Sequence, residues 1–449
     1  MMLSAGCVFV SVPATAQVQR RDSTQKSTAR RDSLSADSLA ARLQRAEEAI
    51  ATLKTQVAEE SQSAVRTSSR FKLDLTGRLL TNVFYTSGRV NNEDVPQLAQ
   101  APGNSTTPSD ALGISVRQTR LGAALSVDSV LGGTLVSDFD IDFFGGTQTG
   151  PGGRRLFPEL RLRTLRALID WKKTELMVGS VPPLISDLNP LSLAAVGTTG
   201  FVTAGNLWNW LPQIRLTREL GELAVSDTRV RFAIGASVME PFSGSQVVNE
   251  PDGVDAGERS RRPFVEARLR ARWGDTNSGG PLDAFMGAGG GEIAISGHRG
   301  WVARAQGGMS ASKAIAADWR VSFTKWLELR GEAYKGQLLA GLGGGSIGQS
   351  FGTSLTPGIL GPAIRDVAGW AQVNVAPNPI VIAGAGCGVD DPNDDDRPTR
   401  LHNSVCAFHF ALRPIQPLVI GAEFRRIDTR YTTGLSHANH FNLAFGVEF

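Results

Sequence analysis

The chain has 449 residues, fifty of them glycine, with 41% hydrophobic residues and a formal charge of +3. So small a charge over this length excludes the strongly basic surface that a nucleic-acid partner requires, and the lack of any long apolar run excludes a bundle of membrane-crossing helices. A membrane β-barrel stays open, because its strands alternate in polarity and never raise the mean hydropathy.

Residues 1–16 read as a signal peptide, with an apolar stretch from Leu3 to Val12 and Ala14-Thr15-Ala16 as the cleavage site before Gln17. No Lys or Arg precedes the apolar stretch, which points to a start placed too late or to a fragment. Residues 17–35 are rich in Ser, Thr, Arg and Asp and read as a flexible tether. Over 36–61 the period becomes helical: Leu39, Leu43, Ala46, Ile50, Leu53 and Val57 recur at alternating spacings of four and three. That heptad seam predicts a short periplasmic coiled-coil helix and association of several chains, since three heptads are marginal alone. The seam itself allows a dimer, and an amphipathic helix lying on its own barrel is the other reading.

From Phe71 to Phe449 the period is two. Phe71, Leu73, Leu75, Leu79 and Val83 oppose Lys72, Asp74, Thr76, Arg78 and Asn82, and the same alternation runs through 118–128, 138–143, 229–238 and 265–273. A soluble two-layer fold would need a second apolar layer over these faces, and no helices supply one. The expected fold is therefore all-β, a 16-stranded antiparallel transmembrane β-barrel over 71–449 preceded by the coiled coil. Seventeen strand-like stretches are visible. Short turns near 130, 172, 221, 277, 325, 378 and 414 alternate with long outer loops at 86–111, 145–157, 182–207, 239–261, 336–365, 390–400 and 432–438 and one around His298. This order holds if Trp301 to Phe323 is one interrupted strand. The terminal stretch puts Phe441, Leu443, Phe445, Val447 and Phe449 on one face, so Phe441, Phe445 and Phe449 are expected on the lipid side of the barrel-closing strand. Cys387 and Cys406 fall on neighbouring strands, either as a cross-strand disulfide or as two unlinked buried thiols.

This layout resembles the trimeric bacterial outer-membrane porins, nearest to the DcaP-like porins associated with dicarboxylate uptake. The carriers are Val116-Arg117-Gln118-Thr119-Arg120-Leu121-Gly122, Leu162-Arg163 through Asp170-Trp171, Met177-Val178-Gly179, Pro212-Gln213-Ile214-Arg215, Leu329-Arg330-Gly331-Glu332, Gly369-Trp370-Ala371-Gln372 and Gly388-Val389-Asp390-Asp391-Pro392. Their order, more than any single motif, carries the resemblance, which covers about 70–449. It implies a homotrimer in the outer membrane, in contact with lipid and lipopolysaccharide, and an inward-folding third outer loop. Pro182 to Leu207 is the candidate for that loop, with Leu184, Ile185, Leu188, Leu191 and Leu193 needing a place to pack; a subunit contact is the competing use.

The strand alternation points Arg120, Arg161, Arg163, Arg215, Arg229, Arg231, Arg268, Arg270 and Arg272 into the lumen, with Asp138, Asp140 and Asp142 facing them across the pore. A phase slip near Thr164 exchanges Arg163 for Arg166 in one register. Arginine keeps its charge in a partly desolvated passage and offers paired donors to carboxylate or phosphate oxygens, so the expected function is passive passage of small anionic solutes. No cofactor and no metal are expected; Asp390, Asp391, Asp394, Asp395 and Asp396 make an acidic outer loop without the fixed spacing of a known calcium loop, with calcium binding as the other reading. His298, His402, His409, His437 and His440 form no catalytic grouping. A barrel enzyme of the lipase or protease type and a structural outer-membrane barrel are the alternative functions.

Overall fold

The computed structural model describes residues 71–101, 109–145, 156–226, 228–244, 253–274, 290–304, 307–357 and 359–449. The signal peptide, tether and heptad seam expected from the sequence lie outside them.

The two-residue period sorts side chains onto two faces, and one of those faces stays bare. Leu75, Ile114, Leu162, Ile214, Leu269, Ile295, Ile315, Val367, Phe408 and Phe441 are all exposed. A belt of exposed aliphatic and aromatic side chains round a sheet is stable against lipid and not against water. The chain is accordingly an all-β, 16-stranded antiparallel transmembrane barrel.

Its wall begins with β1 (Phe71–Ser87), β2 (Ala111–Ser115), β3 (Arg120–Val130), β4 (Gly133–Gly145), β5 (Glu159–Asp170) and β6 (Thr174–Val181). It continues through β7 (Leu211–Val225), β8 (Thr228–Met239), β9 (Phe264–Trp273), β10 (Gly291–Ala303), β11 (Met309–Thr324) and β12 (Leu327–Gln337). The last five are β13 (Arg365–Asn378), β14 (Val381–Pro392), β15 (Arg400–Leu412), β16 (Leu418–Tyr431) and β17 (Gly434–Glu448). Apart from β2 and β3, each pairs with its neighbour in sequence, and β17 returns to β1. Both β2 and β3 pair with β1, so these two strands are halves of one stave broken at 116–119, which makes sixteen staves from seventeen strands. Thr119 bridges the break, its hydroxyl accepting from Leu80 N at 3.0 Å.

Closure is tight at the C-terminal strand. Gly77 and Phe449 exchange backbone hydrogen bonds of 2.8 and 3.0 Å, and the carboxylate of Glu448 accepts from Arg78 and Arg413, each at 2.7 Å. The ring of Phe449 lies where a side chain at residue 77 would sit, so the glycine gives that ring its seat. Phe441, Phe445 and Phe449 are exposed on the apolar face.

Three expectations need correction. The outer loop expected around His298 is not there: His298 is buried within β10, its ring nitrogens 2.9 Å from Glu266 and 2.9 Å from Ser312. Nor is Trp301 to Phe323 one strand. The chain turns between Arg304 and Gly308, where Gly307 and Gly308 take φ of 88° and 83°, and Ser310 to Ala314 runs on as regular strand. The two misplacements cancel in the stave count. The turn expected near Gly221 lies instead between Val225 and Thr228, and Gly221 forms a bulge in β7 with φ 148°, a value that favours glycine.

Cys387 and Cys406 oppose each other in the β14–β15 ladder with Cα atoms 4.1 Å apart and are joined as a disulfide. Both are exposed on the outward face, which excludes the reading as buried thiols.

Candidate functional site

The face turned away from the apolar belt is crossed by loop 182–207. Its residues are buried almost throughout, and the contacts that bury them lie all round the wall. Ile185 N donates to Glu266 of β9 at 3.0 Å, Ser186 to Glu332 of β12 at 2.5 Å, and Leu191 exchanges two bonds of 2.8 and 3.0 Å with Gln372 of β13. Ser192 donates to Glu423 of β16 at 2.5 Å, and Asn82 of β1 donates to Leu193 O at 3.2 Å. Gln118, in the break between β2 and β3, donates to Ala194 O and accepts from Val196 N and Gly197 N. The loop then crosses back, where Phe201 stacks on Trp370 with ring centroids 5.8 Å apart and Asn403 of β15 donates to Thr203 O at 2.8 Å. Loop 182–207 thus folds inside the barrel, and Leu184, Ile185, Leu191 and Leu193 are buried there. A subunit contact through these side chains is excluded.

The same face holds the arginines. A bulge between β4 and β5 leaves Arg163 without a partner residue in the ladder, so the strand changes phase there. The change brings Arg161, Arg163 and Arg166 to one side together, where the sequence had offered Arg163 or Arg166 as alternatives. Arg161 donates to Asp142 at 2.6 Å and to Gly197 O at 2.6 Å; Arg163 donates to Asp142 at 2.9 Å and to Val196 O at 2.5 Å. Arg120 pairs with Asp140, and Arg166 with Asp138 at 2.6 Å. These carboxylates stand on β4 between β3 and β5, beside their arginines on one wall. The expectation that Asp138, Asp140 and Asp142 face the arginines across the pore is therefore wrong. Directly opposed positions in neighbouring strands, such as Arg120 and Asp142, put charges about 5 Å apart, whereas opposite walls lie several strand spacings away.

Arg268 and Arg272 belong to a second charged group. Arg268, 5% exposed, donates to both oxygens of Asp318 at 2.5 and 2.7 Å, and Glu292 accepts from Arg268 and Arg272. Arg229 pairs with Glu222 at 3.3 Å near the short-turn end of the barrel, on the same face as Arg231. Arg215 donates to Pro182 O at 2.8 Å and lies 3.7 Å from the carboxylate of Asp187. Asp187 is the one exposed residue of loop 182–207. Arg270 differs from its neighbours: among the described residues it has no carboxylate within ion-pair distance, although it shares a face with Arg268 and Arg272 and lies in the field of Glu292 and, more weakly, of Asp187.

Asp187 gives no sign in the sequence, because the fold of its loop is set by contacts with distant strands. Glu328 with Arg330 and Glu423 with Arg425 were also missed; both pair on the inner face. Their spacing of two residues on one strand is a signal that strand alternation makes legible. In the 390–396 segment Asp396 holds Arg365 at 2.9 Å, Asn393 caps Asp395 N, and Asp390 is buried and accepts from Ile347 N at 3.1 Å. Among the described residues no group of three or more His, Cys, Asp or Glu side chains is placed to hold a metal ion.

No protein family model and no curated protein matches the sequence. Solved structures do. The outer membrane channel DcaP of Acinetobacter baumannii aligns with a TM-score of 0.63 at 13% identity, covering 86% of this chain and 100% of that one. The anion-selective porin from Comamonas acidovorans aligns with a TM-score of 0.52 at 11% identity, covering 84% of this chain and 100% of that one. At such identities the likeness is one of fold, and the chain is a sixteen-stranded closed barrel similar to known outer-membrane porins.

Proposed function

We propose that the protein is an outer-membrane channel for passive diffusion of small solutes, with a preference for anions set where loop 182–207 meets the basic wall. The observation that carries the reading is Arg270: a permanently charged side chain on the inner face with no ion-pair partner among the described residues, in the field of Glu292 and of Asp187, the carboxylate that stands 3.7 Å from Arg215. Most other arginines on this face are matched by adjacent carboxylates and add little net field. Such a site concentrates counter-ions by its net charge and involves no covalent step. The porin from Comamonas acidovorans, a barrel of similar fold, is anion-selective, which agrees in kind.

Reversal potentials of single channels in a salt gradient test this. Anion preference is expected. Arg270→Gln is expected to reduce it and Asp187→Asn to increase it, because the two substitutions remove charges of opposite sign from one passage. Cation preference in the parent protein would defeat the reading, and a barrel that passes no current would favour a structural role.

The chain is further proposed to act as a homotrimer, with residues 36–61 in the periplasm and 71–449 in the membrane. Leu39, Leu43, Ala46, Ile50, Leu53 and Val57 would form the seam between copies. Mass measurement of the detergent-solubilised protein is expected to give three chains, and one or two would refute it.

A further inference from the structure

Four cations gather on the outward face of the barrel, near the end that carries the long loops. In the β10–β11 ladder Arg299 lies directly opposite Lys313, and both side chains are exposed. Like charges facing each other across a ladder repel. Elsewhere on the outward face the chain supplies an acid, as where Arg426 meets Asp428 at 2.9 Å. Here it adds further positive charge. The guanidinium of Arg262 lies 5.4 Å and that of Arg299 5.3 Å from the ring centre of Trp301. On the next strand Lys335 also faces outward, opposite Ile315 and one row from Lys313. Among the described residues none of the four has a carboxylate within ion-pair distance.

The position of the patch says what covers it. Immediately below, away from the loops, the same face is apolar, with Ile293, Ile295 and Ile315 exposed. The change from apolar to cationic falls between Ile295 and Arg299 on β10 and between Ile315 and Lys313 on β11, with Trp301 one row farther toward the loops, among the cations, at the depth where tryptophan meets headgroups. A ligand spanning this boundary needs hydrocarbon on one side and compact negative charge on the other. Arginine and lysine grouped in this way suit phosphate oxygens, with the guanidinium groups able to donate in pairs.

We propose that Arg262, Arg299, Lys313 and Lys335 bind the phosphates of a phosphorylated lipid in the leaflet on the long-loop side. The site rests on the membrane-spanning barrel alone and is independent of what passes through the lumen. Native mass spectrometry of the delipidated full-length protein tests it, using lipid A with two phosphates, dephosphorylated lipid A and inorganic phosphate as separate probes. The two-phosphate lipid is expected to stay bound, and Arg299→Gln combined with Lys313→Gln to weaken retention about tenfold. Arg426→Gln, on the same outward surface but beside Asp428, is expected to leave retention unchanged. Both variants change exposed residues, and an unaltered channel conductance in each confirms that the barrel is intact. Equal retention of dephosphorylated lipid, equal loss in both variants, or displacement by millimolar inorganic phosphate would each overturn the assignment. So would a double variant that keeps the lipid and loses its oligomeric state, because the patch would then face another copy of the chain.

Discussion

Replacing Arg268 with alanine is expected to destabilise the barrel by about 3–5 kcal/mol, whereas Arg270→Ala, two residues along the same face, is expected to change stability by about 0.5 kcal/mol or less. Arg268 and Asp318 are both almost wholly buried and joined by two hydrogen bonds, with Glu292 as a further acceptor. Removing the guanidinium leaves Asp318 buried with its charge unmatched, and the cost of that desolvation falls on the folded state. Arg272 can still neutralise Glu292, so the loss centres on Asp318. Arg270 is partly exposed and has no such dependent partner among the described residues. Denaturant unfolding of the two variants in the same detergent measures the difference. Equal losses would contradict the assignment of Arg268 to structure and Arg270 to the passage.

That contrast marks where the sequence stops being informative. Strand alternation placed Arg268, Arg270 and Arg272 on one face, because a period of two is a local property of the backbone. It treated all three alike, as lumen residues. The distinction between them comes from Asp318 and Glu292, which sit on other strands, and from a loop some 80 residues away that covers Arg268 and leaves Arg270 partly open. The fold was legible to the same degree and for the same reason. Sixteen staves followed from turns and loops, yet Gly221 and His298 were read as connections. A bulge glycine and a polar residue satisfied by neighbouring strands look like loop residues until their partners are known. Arg163 shows the limit most clearly: the phase slip near Thr164 is legible in the sequence, but that it is a bulge keeping Arg161, Arg163 and Arg166 on one side depends on the pairing with β4.

Gln118 is expected to be the clamp on the inward loop, and Gln118→Ala to give a channel with larger and noisier single-channel current and an intact wall. Its side chain is fully buried in the break between β2 and β3, where it donates to Ala194 O at 2.9 Å and accepts from Val196 N at 2.9 Å and Gly197 N at 2.7 Å. Alanine leaves two buried N–H groups and one carbonyl without partners, at about 1–3 kcal/mol each. Water can restore those bonds once segment 194–197 lifts from its seat. Arg161 and Arg163 hold the adjacent carbonyls of Gly197 and Val196 and resist that movement, so Arg163→Ala added to Gln118→Ala is expected to enlarge the effect. The wall itself does not depend on Gln118, because Thr119 carries the hydrogen bonds that bridge the break. Planar-bilayer recordings of the single and double variants decide the matter. Currents like those of the parent in both would show that the loop is held by its remaining contacts with Gln372, Glu423 and Asn82, and that the passage is not limited at the Gln118 side.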